Sequence, residues 1–476
     1  MSVETEHIPD WVEDREPSRA APPAPDRPSV DRRRSRHRRV DRRLAGLAMP
    51  GLVAVLFVVL HVFAFPASLF SNDSYRYARQ AYEYLGDTRP EAQHKALVAY
   101  CKDEANRKYR AQLLDEMRFK GPRDPKSYQR CMKSTETSGL KPNDPRYERI
   151  FETRPLYPLL AAPFVGVMGA KSGLSAVSLI FTTAGGFFLL AALRRVGLSP
   201  GLALLGQVLY YATPLATWGT LPLAEGPLLA MLASMLYGAV CLLQGRIRTG
   251  ALVYTASLAV SAGVKYSSAQ MAAVTMTLAA GAMLLCVRRT RHRGTWWLFG
   301  LSAGTVAAVT LISKLLALPG TSATLQDTFS KHWTKPEVAA PWHDLAHLNV
   351  NFWWQWAQQQ ALAPLLVLPL GLALWGLWRR SVPLALTVVA LGATGIATVV
   401  AHPVYFQAER LYAAVWLIVA AGLPVLVDVA IQRAVRRRCG GSAETPGLRL
   451  ADGLETVRVA GGGSRAASPS PERSAS

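Results

Sequence analysis

Apolar residues run through this chain in long blocks, not in the short alternations of a soluble fold. A helix needs about 20 such residues to cross a bilayer core. At that length the pattern predicts spans at 44–66, 173–193, 201–218, 223–244, 249–264, 267–287, 295–318, 361–378, 382–401 and 411–431. Ten blocks of this kind predict an all-α polytopic membrane protein of about ten transmembrane helices. Two polar stretches interrupt the series. Residues 67–153 hold 17 Lys/Arg and 13 Asp/Glu, and 319–360 is rich in Trp, His, Gln and Pro. Residues 1–43 and 432–476 lack apolar clusters and read as disordered tails around a 44–431 membrane domain. The sequence shows no internal repeat.

Composition changes the picture once it is mapped onto these blocks. The chain has 476 residues, half of them apolar and 18% charged, with a formal charge of +21. A soluble domain carries about 25% charged residues. Taken alone, the tail Arg32-Arg33-Arg34-Ser35-Arg36-His37-Arg38-Arg39 suits nucleic acid or lipid headgroups. An apolar block follows it at once, so it reads as a charge cluster that fixes orientation. The long leading tail argues against a cleavable signal peptide.

By the positive-inside rule the N-terminus is cytoplasmic, and 67–153 is outside. One segment, 155–169, is apolar but only about 15 residues long. If it crossed, the clusters at 194–195, 246–248, 288–293, 379–380 and 436–438 would all lie outside. If it does not, all lie inside. It therefore reads as an interfacial or re-entrant helix on the outer face, with Pro155 at its first turn. Ten crossings follow, with both termini cytoplasmic, a first outer loop 67–169 and a later one 319–360. The cytoplasmic clusters at 32–43, 194–195, 246–248, 288–293, 379–380 and 433–438 hold 22 Lys/Arg and one acid, Asp41, which accounts for the whole charge imbalance. The excess is an orientation code in a multi-pass cell-membrane protein, and it implies no nucleic-acid partner.

Between Arg154 and Asp428 only six acids occur: Glu225, Asp327, Glu337, Asp344, Glu409 and Asp428. Ionisable groups at membrane depth are costly and point to function. Glu225, Lys265, Glu409 and Arg410 fall at outer span ends, on the same side as Asp73, Arg76 and Arg154. Each also has a structural reading. Asp73 suits a helix N-cap, Arg154 a snorkelling anchor, and Glu225 the first turn of a helix. Lys265 suits a turn between short spans, and Glu409-Arg410 a local ion pair. Asp428, beside Arg433, reads as structural. His332, His343 and His347 share an outer loop. The His343/His347 spacing suits a metal, but without a His-Glu-x-x-His pattern a solvated loop is the better reading. Trp333, Trp342, Trp353, Trp354 and Trp356 fit an interfacial belt. Cys101 and Cys131 share the oxidising side and are the candidate disulfide. Such a bridge would contribute about 3–4 kcal/mol. Cys241, Cys286 and Cys439 fall in or beside the cytoplasmic half and are expected to stay reduced.

The arrangement resembles the GT-C fold glycosyltransferases, with the aminoarabinose and protein O-mannosyl transferases as the nearest groups, over roughly Leu44 to Ile431. Asn72-Asp73-Ser74-Tyr75 stands where that family carries a catalytic acid after its first span. Arg154-Pro155-Leu156-Tyr157-Pro158 resembles its basic-Pro motif. Glu225 stands at a second acidic position, Ser261-Ala262-Gly263-Val264-Lys265-Tyr266 at a Gly-Lys stretch, and Glu409-Arg410-Leu411-Tyr412 at a late Arg-Tyr pair. Departures are Asn-Asp for two acids, Glu for Asp, one Pro after Arg154 for two, and a loosely met Gly-Lys spacing.

The resemblance implies an inverting transfer of a sugar from a polyprenyl-phosphate donor to a glycan, lipid or protein acceptor. Asp73 and Glu225 would be catalytic, with Asp73 the general base. Arg154, Lys265 and Arg410 would bind the donor phosphate. Asn72, Tyr75, Tyr157, Glu409 and Tyr412 would support them. No cofactor is required by this reading, which leaves room for a divalent metal but assigns no metal ligand. The alternative is a non-enzymatic transporter or lipid flippase. The short pair 249–264 and 267–287 favours it, and the absence of a repeat weighs against it. A third reading is a catalytically dead relative serving as an assembly partner.

Overall fold

The protein is described from a computed structural model, covering residues 48–64, 69–120, 124–136 and 139–438. The basic tail 1–43, the first residues of the 44–66 span, Cys439 and the rest of the C-terminal tail lie outside the described residues. Every regular element among the described residues is helical. In chain order they begin with α1 (Ala48–Ala64), α2 (Asn72–Tyr84), α3 (Arg89–Phe119) and α4 (Ser127–Glu136). Next come α5 (Pro145–Glu152), α6 (Leu156–Met168), α7 (Ala170–Arg195), α8 (Pro200–Ala212) and α9 (Pro214–Gly219). Then follow α10 (Glu225–Leu243), α11 (Ile247–Cys286), α12 (Arg293–Leu315), α13 (Thr321–Phe329) and α14 (Pro341–Leu362). The last are α15 (Val367–Arg380), α16 (Val382–Ala401), α17 (Ala408–Leu411) and α18 (Trp416–Arg438).

Among the described residues, six helical stretches can cross a membrane by length and composition: α7, α10, α11, α12, α16 and Tyr405–Arg437. A seventh follows if the bent pair α14 and α15 is one span. The other apolar blocks come out differently. The 201–218 block divides at Thr213, which is extended at φ −104° and ψ 172°. The following Pro214 disfavours helical backbone at the residue before it. The 361–378 block starts inside α14 and turns through 91° before α15, where Pro364 interrupts the helix. Of the 44–66 block, the described part is the apolar helix α1. The expected tail boundary at 432 is too early, because α18 runs on to Arg438. Arg is a good helix former, and cations suit a helix C-terminus.

α11 is broken. Lys265 has φ −164° and ψ 92°, outside the helical region. Forty residues in one straight helix would span about 60 Å. Yet Gly250 and Gly294 both pack on Leu242, and the seven residues between Cys286 and Gly294 reach at most about 28 Å. The Tyr254 hydroxyl lies 2.8 Å from Ser302 Oγ, and Gly281 packs on Phe299, three positions away from Ser302. The two arms of α11 therefore run back along each other with Lys265 at the bend.

α10 is the central helix, buried over most of its length, whereas α12 is mostly exposed. Small residues on α10 allow this. Gly226 and Gly238 press against Ser178 of α7 and Tyr254 of α11, leaving no room for a Cβ. At one end of the bundle the arginine clusters gather. Gln244 donates to the Arg195 carbonyl at 2.7 Å, and Arg380 to that of Val196 at 3.3 Å. Arg380 also pairs with Asp428 at 3.0 Å, so Asp428 has a structural partner, though not Arg433.

α2 to α6 have their own apolar core around Phe70, Tyr77, Phe151 and Tyr157. Arg76, fully buried, donates from Nε to Glu148 at 2.8 Å, and Arg79 reaches the other oxygen of that carboxylate at 2.6 Å. Arg76 also donates to the Asn72 and Pro142 carbonyls and lies 4.5 Å from the centre of the Tyr147 ring. Two guanidiniums on one carboxylate hold α2 against α5, which fixes the helix that carries Asp73. Cys101 and Cys131 form a disulfide joining α3 to α4, with their Cα atoms 5.6 Å apart.

Candidate active site

Ser71 caps α2 and shares a reciprocal cap with Ser74. Asp73 is therefore not the cap, and its carboxylate is left for another partner in the first turn. Glu225 is the first residue of α10. Both carboxylates stand at helix N-termini, where the helix dipole favours negative charge. Arg410 comes from α17, one turn long, between α16 and α18.

These three residues meet. Arg410 Nη2 donates to Asp73 Oδ2 at 2.6 Å. Its Nε donates to Glu225 Oε1 at 2.7 Å, and Nη2 also lies 2.7 Å from that oxygen. The three side chains retain only 12–19% of their exposure. Glu409 is exposed and lies outside this group, so the expected local Glu409–Arg410 pair gives way to one that spans the chain. Burial pushes the Asp73 carboxyl up. Arg410, Arg154 and Arg76 outweigh that and hold it below its ordinary value.

Arg154 follows the end of α5, donates to the Tyr77 hydroxyl at 3.2 Å and is 5.1 Å from the Phe151 ring. Its charge acts on Asp73. Lys265, at the bend of α11, lines a cavity of about 70 Å³ with Glu225 and Arg410. That cavity continues along α10 past Leu228 to Leu232, about 10 Å from the charged mouth. Glu225, Lys265 and Arg410 thus share one end of a mainly apolar groove, and Asp73 is held to that end through Arg410. Glu225 Oε2 is buried there without a partner.

Compared with family models, curated proteins and solved structures, the chain matches none.

The remaining sequence-selected residues divide. Tyr157 is buried and bonds Ser178 Oγ at 2.9 Å and the Leu174 carbonyl at 3.2 Å. It ties α6 to α7 and meets Tyr77 edge-on at 5.0 Å. Tyr75 is buried in the α2–α6 core. Asn72 donates to the Lys141 carbonyl at 3.5 Å, and its Oδ1 is buried without a partner. Tyr412 packs with Trp356 against the Phe352 cluster. His343 and His347 are exposed, with their Nε2 atoms 3.2 Å apart. Among the described residues no three His, Cys, Asp or Glu side chains gather as a metal site.

The structure also forms pairs that the sequence does not assign. Asp327, in α13, is buried and lies 2.9 Å from His332 Nδ1. His402 lies 2.5 Å from Thr328 Oγ1. Burial lowers the His402 imidazole to about 4, and the charges of Asp327, Lys265, His332 and Arg410 all act on it.

Proposed function

We propose that the chain is a GT-C-like membrane glycosyltransferase of about ten crossings, with both termini cytoplasmic. It transfers a sugar from a polyprenyl-phosphate donor to a glycan, lipid or protein acceptor on the outer face of the cell membrane. The observation that carries this reading is Arg410 bridging Asp73 and Glu225 at the mouth of an apolar groove that Lys265 also lines. A polyprenyl phosphate is a chain of apolar units with an anion at one end, and the groove offers the matching pair of environments.

The reaction makes a bond from the acceptor oxygen to the anomeric carbon and breaks the bond from that carbon to the phosphate oxygen. The electron pair of the broken bond stays with the phosphate. Charge on the phosphate grows as the bond breaks, so fixed cations stabilise the transition state more than the ground state. Arg410 can grip two phosphate oxygens, and Lys265 supplies a point charge. Arg154 adds to the same field. As Arg410 turns to the phosphate, Asp73 is released to take the proton of the acceptor hydroxyl, and Glu225 to hold a sugar hydroxyl through its free oxygen.

The break at Lys265 is also what a transporter uses at its binding site, which favours a lipid flippase as the second reading. Purified protein incubated with a panel of polyprenyl-phosphate sugars separates the two. A transferase releases free polyprenyl phosphate, whereas a flippase moves the intact lipid between leaflets and cleaves nothing.

A further inference from the structure

The sequence suggested a solvated loop for His343 and His347, but both stand in the first turns of α14. Pro341 opens that helix, where a missing N–H is no loss and its fixed φ suits a helical start. Residues four apart in a helix lie on one face. The face that docks is a different one. Leu345 and Phe352 are buried, Asn349 donates to the Val400 carbonyl at 2.9 Å, and Trp356 packs on the Phe352 cluster. At about 100° per residue, His343 and His347 fall on the opposite side of α14, and both are exposed. The His343 side chain keeps 71% of its exposure.

The two imidazoles meet there. Their Nε2 atoms are 3.2 Å apart, and their ring centres 4.4 Å apart with the planes at 61°. A cation bonded to histidine nitrogens at about 2.0–2.1 Å would hold two atoms so spaced at an angle of about 100°. That value lies between the octahedral and the tetrahedral angle. Asp344 Oδ1 is 3.5 Å from His343 Nδ1. A carboxylate at Nδ1 favours the tautomer with its proton on that nitrogen, which leaves the Nε2 lone pair for a metal. Without a cation, the contact is a hydrogen bond from His347 Nε2–H to His343 Nε2. A cation takes the place of that proton, which passes through solvent to His347 Nδ1. Neither histidine lines the groove beside Arg410.

We propose that His343 and His347 are the protein ligands of a divalent transition-metal site on the exposed face of α14, with Asp344 orienting His343. Water fills the remaining positions. Imidazole nitrogens suit Cu²⁺, Ni²⁺ and Zn²⁺, with Cu²⁺ held most tightly, whereas Mg²⁺ and Ca²⁺ take oxygen ligands. Two ligands in place of the four of a structural zinc site put the Kd at about 1–100 µM. The bound cation clips two successive turns of α14 together. The site stands independently of the transferase reading.

The test titrates Cu²⁺, Ni²⁺, Zn²⁺ and Mg²⁺ into full-length protein in nanodiscs, without a polyhistidine tag, and reads binding by calorimetry. The wild type is expected to bind one equivalent of each transition metal that both His343→Gln and His347→Gln bind about 100-fold more weakly. Asp344→Asn weakens that equivalent about tenfold. His94→Gln, which removes an exposed histidine of α3, leaves it unchanged, and Mg²⁺ does not bind there. Zn²⁺ slows amide hydrogen exchange over residues 341–348 in the wild type and in neither histidine variant. Both histidines are exposed, so the metal-free variants unfold at the wild-type temperature. Wild-type affinity and stoichiometry in both variants would mean an adventitious ion only and overturn the site. Loss in one variant alone, or no binding by the wild type up to about 1 mM, overturns it equally.

Discussion

Arg410 and Asp73 are 337 positions apart in sequence and meet at 2.6 Å, with Glu225 on the same guanidinium. One positive charge is thus shared between two carboxylates. In the proposed reaction an arriving phosphate would compete for Arg410 and release them, so that donor binding and the freeing of the acidic groups would be one event.

Arg410→Gln leaves two buried carboxylates facing each other, and breaking such a pair costs about 3–5 kcal/mol. Donor turnover is expected to fall below detection and thermal unfolding to move down by several degrees. Arg410→Lys keeps the charge but loses the fork that reaches both carboxylates. It should recover part of the stability and little of the turnover. Unfolding curves and lipid-phosphate release on the same samples check both.

The pH dependence follows from the lowered Asp73 value. A carboxyl held lower in the folded protein than unfolded contributes stability that is complete above its unfolded value, about 3.9. That contribution is lost as the pH falls through the folded value. The difference in unfolding temperature between wild type and Asp73→Asn should be constant from pH 7 to about pH 4 and shrink below that. A difference that shrinks already between pH 7 and pH 5 contradicts the ion-pair account.

Glu148→Gln should loosen α2 without touching the site. Arg76 is fully buried on this carboxylate, and loss of the pair costs about 3–5 kcal/mol. Limited proteolysis within 67–153 should become faster, and donor turnover should drop because Asp73 rides on α2.

Reduction of Cys101–Cys131, or Cys131→Ser, should lower stability by about 3–4 kcal/mol. Thiol labelling with and without reductant, together with unfolding curves, measures it. Unchanged unfolding on reduction contradicts this expectation.

Apolar block length located most of the helices, because burial in lipid or in a bundle demands the same long runs. Local backbone chemistry set the limits. Pro214 and Pro364 broke blocks that hydropathy alone joined, and α18 continued through arginines that composition assigned to a tail. The site was legible as a list of ionisable residues near helix ends. Its pairing was not, because Glu409, adjacent in sequence, was the obvious partner for Arg410, and only the fold brings Asp73 and Glu225 to it. The Asp327–His332 pair carried no local signal. The left-handed turn that carries it is built from Lys331, His332 and Trp333, without the Gly or Asn that usually marks such backbone.

The central claim is that the charged mouth of the α10–α11 groove performs transfer from a polyprenyl phosphate. The direct measurement compares wild type, Asp73→Asn and Lys265→Ala for release of polyprenyl phosphate from its sugar, with membrane insertion measured in parallel. The account predicts release by the wild type, none by either variant, and equal insertion of all three. Full release by both variants, or none by the wild type with any donor of the panel, would contradict it.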